Sequence, residues 1–280
     1  MEDFRAASLK SWTAVAPDWD ELTAWVDYQL GIAAEWMLEE ASPGRGDRVL
    51  ELAAGPGTLS LGAARAVGAE GQVICTDFAE AMVDTARRRL AAEGAENVEC
   101  RVVDAEAIDL PDGAVEVVLC RMGYMLMADP AAALRETARV LAPGGRAALT
   151  VWSDAISNPW AALPMQTIMA QLGAPPPEPG APGLWALADR TRLQRLLEDA
   201  GLESVHIQQL DDVVEYESFE HWFELTGRLA GPIRALLAGL NEKDRRTIEA
   251  RLREAAQPYY QAGERLSMPE RMLGASARRA

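Results

Sequence analysis

Three kinds of residue in the first half of the chain have the types and spacing to do chemistry. Glu51 closes a short apolar run, Val49-Leu50-Glu51-Leu52, and is followed by Ala53-Ala54-Gly55-Pro56-Gly57-Thr58. Glycines after an apolar run allow left-handed backbone and let another molecule approach closely. A helix starting at Thr58 would turn free N–H groups and the positive end of its dipole toward that molecule, with Thr58 or Ser60 as its cap. A second apolar run, Gln72-Val73-Ile74-Cys75-Thr76, ends in Asp77, 20 residues past Gly57. A carboxylate at that spacing accepts both hydroxyls of a ribose. An ordinary βαβ unit with a capping Asp is the plainer alternative.

The nucleotide can be narrowed further. A dinucleotide fingerprint wants a third glycine or alanine, and Ser60 stands there. Glu51 is a poor neighbour for pyrophosphate and a good one for a cation. No Gly-Lys-Ser/Thr follows, so the turn is not a P-loop. A cationic, phosphate-free nucleoside fits best, and S-adenosylmethionine is one.

The elements that must position these residues follow in order. Residues 20–40 carry Leu22, Val26, Leu30, Ala33 and Met37 at helical spacing and predict one amphipathic helix. Ser42-Pro43-Gly44-Arg45-Gly46 turns into the first strand. Helices are predicted at 58–67, 79–93, 131–141, 159–172 and 189–200, with Gly68, Gly94 and Gly201 as stops. Strands are predicted at 71–77, 97–103, 115–120, 146–152 and 202–215, with a returning antiparallel strand at 267–278. Strands alternating with helices commit the fold to α/β with a parallel sheet. The full expectation is a Rossmann-like, doubly wound, seven-stranded sheet, mostly parallel with its last strand antiparallel, plus N-terminal helices and a helical cap.

Four ordered motifs carry a resemblance. Val49–Leu61, Thr76–Met82, Val103–Glu106 with Leu110–Val118, and Val140–Arg146 resemble the motifs of class I S-adenosylmethionine-dependent methyltransferases, above all the ubiquinone/menaquinone-biosynthesis-like small-molecule enzymes. The match is good over residues 45–152 and loose in the flanks. The resemblance implies a methyl transferase acting on O, N or C of a small apolar metabolite such as a quinone, phenol or polyketide, with S-adenosylhomocysteine as product. It implies that Glu51, Ala53, Gly55 and Gly57 hold the amino-acid part of the cofactor and Asp77 the ribose. Phe78 and Met82 would sandwich the adenine, and Asp104, Ala105 and Glu106 would read its edge. N-terminal pieces fold over the cofactor in this family, which nominates Trp19.

Four of the eight tryptophans, Trp12, Trp19, Trp25 and Trp36, precede the sheet. Arg121, Met122 and Tyr124 follow the fourth strand, where ligands of such sheets lie. Five of the ten methionines fall between 122 and 169, either as an adaptable substrate wall or as core filler. Methyl transfer needs alignment and dryness more than acid–base groups. The candidate bases are therefore few: His221 in the cap, Tyr124 and Arg121. His206, mid-strand, reads as packed or solvent-facing. No His or Cys spacing calls for a metal.

The expected organisation is an N-terminal helical segment over 1–46, a cofactor-binding core over 47–152 and a proline-rich lid over 153–188. Residues 189–280 then complete the sheet, with a cap inserted at about 217–262. Net charge is −16, which argues against nucleic acid and anionic membranes. No apolar run reaches a membrane span, and the N-terminus lacks a signal pattern. Cys75, Cys100 and Cys120 read as buried strand thiols suited to a reducing cytoplasm. The expected partner is a small-molecule substrate, and a homodimer is compatible with the sequence. Competing readings keep the fold and change the reaction: a cofactor-binding relative that cyclises, decarboxylates or hydroxylates, a nicotinamide oxidoreductase, or a non-catalytic adenosyl-binding protein.

Overall fold

The apolar runs pair into a single sheet of β1 (Arg48–Glu51), β2 (Gln72–Asp77), β3 (Val98–Val102), β4 (Val115–Arg121), β5 (Leu141–Trp152), β6 (Leu202–Tyr216) and β7 (Leu266–Arg279). Their spatial order is β3-β2-β1-β4-β5-β7-β6. β1 to β5 are parallel, and β7 runs antiparallel between β5 and β6. The computed structural model describes residues 2–175, 178, 180–261 and 263–280. Val49, Leu50, Val117, Val118 and Leu119 are buried because helices cover both faces of the sheet. Right-handed crossovers put α4 (Thr58–Val67) and α5 (Glu80–Ala92) on one face and α6 (Pro130–Val140) and α8 (Arg190–Asp199) on the other. Cys75 and Cys120 are buried as expected, whereas Cys100 is only half-buried because β3 is an edge strand.

The N-terminus departs from the single helix predicted over 20–40. It forms α1 (Glu2–Glu21), α2 (Thr23–Gln29) and α3 (Gly31–Ala41). The Thr23 hydroxyl donates back to the carbonyls of Trp19 (2.5 Å) and Asp20 (2.9 Å), and Leu22 and Leu30 leave helical backbone at ψ 9° and 15°. The apolar period runs through both breaks, so it conceals them. α3 packs against β4, β5 and β7. Trp36 lies over Gly274 and donates to Gln208 (3.1 Å). A Cβ at Gly274 would come within 2.7 Å of the Trp36 ring. Gly274→Ala is expected to cost about 1–3 kcal/mol of stability, measured by urea unfolding, because a ring locked by its own hydrogen bond cannot step aside.

β6 and β7 overhang the rest of the sheet. Trp152, the last residue of β5, pairs with Met272, so Leu266–Arg271 of β7 continue beyond it beside β6. Two helices pack on this overhang, α7 (Pro159–Leu172) on β7 and α9 (Phe219–Leu229) on β6, while α10 (Gly231–Ala238) packs on α9 and α7, and α11 (Glu242–Ala255) packs on α7. Val214, Tyr216, Trp222, Leu252 and Met268 form its core. The predicted helical stretch 217–262 thus divides at Ala230, before Gly231-Pro232, and again at Gly239–Asn241. Of the proline-rich stretch, Pro176, Pro177 and Pro179 lie outside the described residues. α1, packed on α5, ties this cap to the β1–β3 side of the sheet. Arg228 of α9 binds Asp18 (2.7 Å) and Glu21 (2.6 Å), and Arg234 of α10 binds Asp18 (2.6 Å). Among the described residues, no helix is long and apolar enough to cross a membrane.

Candidate active site

The turn after β1 is built on left-handed backbone. Ala53, Gly55 and Gly57 have φ of 52°, 53° and 83°. A Cβ on Gly57 would press on Ala86 and Leu90 of α5 at 3.1 Å, so packing demands this glycine. Gly55 is different: a Cβ there meets nothing within 4 Å, because the residue opens onto the strand tips. Gly57 itself is the N-cap of α4 and supplies no side-chain bond. The capping role expected of Thr58 or Ser60 is therefore not used. Ser60 turns its hydroxyl to Glu51, and Thr58 accepts from Arg89 (3.2 Å). Ala53 and Met122 (φ 58°) are non-glycine residues in the same strained region, at the ends of neighbouring strands. The loops meet there closely enough that a Cβ on Gly123 would lie 2.7 Å from that of Ala53.

Three charged groups converge on this turn. Asp77, 7% exposed, accepts the N–H of Gly55 on one oxygen and that of Ala79 on the other, each at 3.0 Å. Burial pushes its carboxyl up to about 6, against those backbone bonds. Glu51 is buried at the end of β1 and accepts from Ser60. Burial pushes its carboxyl up to about 7, with the Ser60 bond and the Arg121 charge pulling the other way. Arg121 ends β4 at 8% exposure, and its Nη1 has no partner among the described residues. Burial holds its guanidinium below the usual arginine range, opposed by Glu51 and then Asp27. Asp27 of α2 also has a buried oxygen, Oδ1, without a partner among the described residues; its other oxygen is 3.4 Å from Arg89. Sequence reasoning missed Asp27. It sits beside the apolar stripe of its helix, and no fixed spacing links it to Arg121.

The remaining predicted residues divide. Phe78 and Met82 pack with Ala79 against Trp12, Val15, Ala16 and Trp19 of α1, so α1 does lie over the second motif. Trp19 donates to the carbonyl of Leu229 (3.0 Å) and bridges to the cap. Ala105 is buried after β3. Asp104 accepts from the Glu106 N–H (2.9 Å) and stands 3.5 Å from Arg5. Glu106 accepts the N–H groups of Ala128 (2.9 Å) and Asp129 (3.1 Å) and pairs with Arg5, so its carboxylate is engaged with backbone. The candidate bases Tyr124 and His221 are both engaged within the fold. The Tyr124 hydroxyl is buried against Thr137 of α6 (2.6 Å), because the 3-10 turn Tyr124–Leu126 carries the ring under that helix. His221 packs on Tyr216 and accepts the Glu217 N–H (3.2 Å), an engagement at the start of α9. Arg121 faces the carboxylates Glu51 and Asp27, whose charges oppose the lowering that burial imposes on its guanidinium.

Buried carboxylates raised by desolvation need a cation, and unpartnered Nη1 of Arg121 needs an acceptor. A zwitterionic amino-acid group with an attached nucleoside supplies both, so the residues fit S-adenosylmethionine. Fold and strand tips together define a class: a doubly wound sheet built to hold an adenosyl group at its switch point.

Comparison with known proteins gives the family. A methyltransferase-domain family matches residues 49–145. A ubiquinone/menaquinone biosynthesis C-methyltransferase of Neisseria meningitidis is 34% identical over 170 residues, 58% of this chain and 69% of that one. An Escherichia coli C-methyltransferase of the same name is 32% identical over 176 residues, 59% of this chain and 70% of that one. In fold, the YcgJ protein of Bacillus subtilis superposes with a TM-score of 0.60 at 20% identity, covering 88% of this chain and 97% of that one. The [4+2]-cyclase SpnF superposes with a TM-score of 0.56 at 18% identity over 96% of each chain; likeness at this level is likeness of fold. The chain belongs to the class I S-adenosylmethionine-dependent methyltransferases and resembles those of ubiquinone biosynthesis. It is a methyltransferase whose cofactor is S-adenosylmethionine and whose acceptor is a small molecule.

Proposed function

We propose that the chain methylates a small, flat, largely apolar metabolite related to quinones or phenols. The observation that carries this reading is the Glu51–Asp77–Arg121–Asp27 set at the tips of β1, β2 and β4, beside a tryptophan-rich cap. Glu51 and Asp27 would receive the cofactor ammonium and Arg121 its carboxylate. Gly55 and Gly57 would give it room, with Ala53 in the same turn. Asp77 would take the ribose hydroxyls. Phe78, Met82, Asp104 and Ala105 would enclose the adenine beneath Trp19 and its neighbours on α1. When bound, the cofactor brings an electrophilic methyl with a good leaving group. The chain's own work is to fix that methyl in line with the acceptor and to keep water out.

The division proposed is an N-terminal helical segment over 1–46, the cofactor core over 47–152, a proline-rich lid over 153–188, and sheet completion over 189–280 with a cap inserted at about 217–262. Three free thiols support a cytoplasmic setting. The names of the relatives, C-methyltransferases of ubiquinone and menaquinone biosynthesis, support a carbon acceptor in quinone-like chemistry. The test is formation of S-adenosylhomocysteine against a panel of naphthoquinols, phenols and polyketide-like rings. Turnover with at least one of them is expected. Tight cofactor binding with no turnover on any would remove this acceptor class.

A further inference from the structure

We propose that the acceptor binds where β5, β6 and β7 meet the cap, and that Glu270 of β7 takes up the proton of a hydroxyl on that acceptor. This rests on the reading of the strand tips as the cofactor site.

Arg121 pairs with Thr150, and Thr150 with Gly274, so the three share one face of the sheet. That face is the one covered by α3, since Met37 meets Thr150 and Trp36 meets Gly274. The next row up is Trp152, Met272 and Leu210. The row above that is Glu270 and Asp212, directly opposite each other on β7 and β6. Alternate residues of a strand face the same way. Glu270 therefore stands on the wall that rises from the β4–β5 tips, on the same face as Arg121. An acceptor placed beside the cofactor at the switch point lies against this wall.

Glu270 is 3% exposed, and its Oε1 has no partner among the described residues. The indole N–H of Trp160, at the start of α7, is buried and unpartnered in the same way. Trp160 packs edge-on against Trp152 with ring centres 4.9 Å apart, and Trp25 lies against Tyr216 at 5.8 Å. A buried acceptor and a buried donor, both unused, thus border the same aromatic rows. An unpaired carboxyl here costs stability that an apolar residue would not. Burial pushes the Glu270 carboxyl up to about 8, and the opposing Asp212 adds to that. The other groups around it leave the value high. Tyr216 is neutral, α7 has no ionisable side chain, and Asp27 of α2 is engaged with Arg89.

The chemistry follows from this placement. Aromatic walls with one acceptor more basic than an ordinary carboxylate select a neutral, flat molecule that carries an O–H. That bond breaks with its electron pair left on the acceptor oxygen, and the proton joins Glu270 Oε1. The acceptor becomes an anion and a better nucleophile, which is general-base assistance from a carboxyl whose basicity is matched to the task. The reaction thus gains a proton acceptor.

The test uses 2-naphthol and naphthalene as probes of the full chain saturated with S-adenosylhomocysteine, followed by tryptophan fluorescence. Above pH 8 the wild type is expected to bind naphthol about tenfold tighter than naphthalene, as one charge-assisted hydrogen bond allows. The preference should fade as pH falls through 8 and Glu270 becomes protonated. Glu270→Gln should lose both the preference and its pH dependence while S-adenosylmethionine titrates unchanged. Equal binding of the two probes, or an unchanged profile in Glu270→Gln, overturns the proposal. If Glu270→Gln does not fold, Asp212→Asn serves: removing the like charge should move the midpoint of the preference to lower pH, and an unmoved midpoint overturns it. A wild type that fails to bind S-adenosylmethionine refutes the cofactor site instead, and the naphthol preference still judges Glu270.

Discussion

Asp77→Ala is expected to weaken S-adenosylmethionine binding about a hundredfold in isothermal titration. The carboxylate is buried, and each of its oxygens is already held by one backbone N–H, from Gly55 and from Ala79. Those bonds aim the remaining lone pairs at one place, so a ribose diol meets a preorganised acceptor pair. Two charge-assisted bonds at about 1.5–3 kcal/mol each exceed the ~2.7 kcal/mol that a hundredfold requires. Alanine also frees the Gly55 N–H and loosens the turn beside it. Asp77→Asn keeps one neutral acceptor and should lose only about tenfold. Near-UV circular dichroism controls for folding. An Asp77→Ala protein that folds and binds within threefold of the wild type would remove the ribose role from this residue.

What could be read from the sequence was whatever local physics decides. α4 begins and ends where predicted because Gly57 and Gly68 both take left-handed backbone, φ 83° and 69°. α7 matches its predicted bounds, with Pro159 in its first turn and Gly173 in left-handed backbone after its end. The buried carboxylate of Asp77 beside the glycine turn was legible because the turn, the helix and the second strand fix its distance from Gly57. Long-range placement was not legible. Asp27 and Arg121 come together only after α2 has folded across the sheet, and nothing within either segment announces the other. Tyr124 follows a strand end, a position that points toward the pocket, but a single 3-10 turn carries its ring under α6 instead. Glu270 did leave a sign: it interrupts the alternation Leu266, Met268, Met272 at an inward position. One acid within such a row is the trace of a functional group that core packing alone would replace.

Glu51 should make cofactor affinity depend on pH, falling about tenfold for each unit below 7. The carboxyl stands at about 7 in the free protein, above its ordinary 4.5, because burial penalises the charged form. A raised carboxyl contributes stability that is fully present below 4.5 and is lost as pH rises through 7. The free protein is therefore more stable in mild acid on account of this group. Binding a cation reverses the preference, since the ammonium favours ionised Glu51 and a proton must leave. Near neutrality, titrations in buffers of different ionisation heat should show proton release on binding. Asp77, pushed to about 6, adds a second and lower step. Glu51→Gln should raise the melting temperature of the free protein at pH 8, since the cost of a buried charge is gone. The same variant should bind the cofactor more weakly and without the step near 7. Cofactor binding that is flat from pH 5 to 8, with no proton released, would mean that Glu51 does not face the ammonium at all.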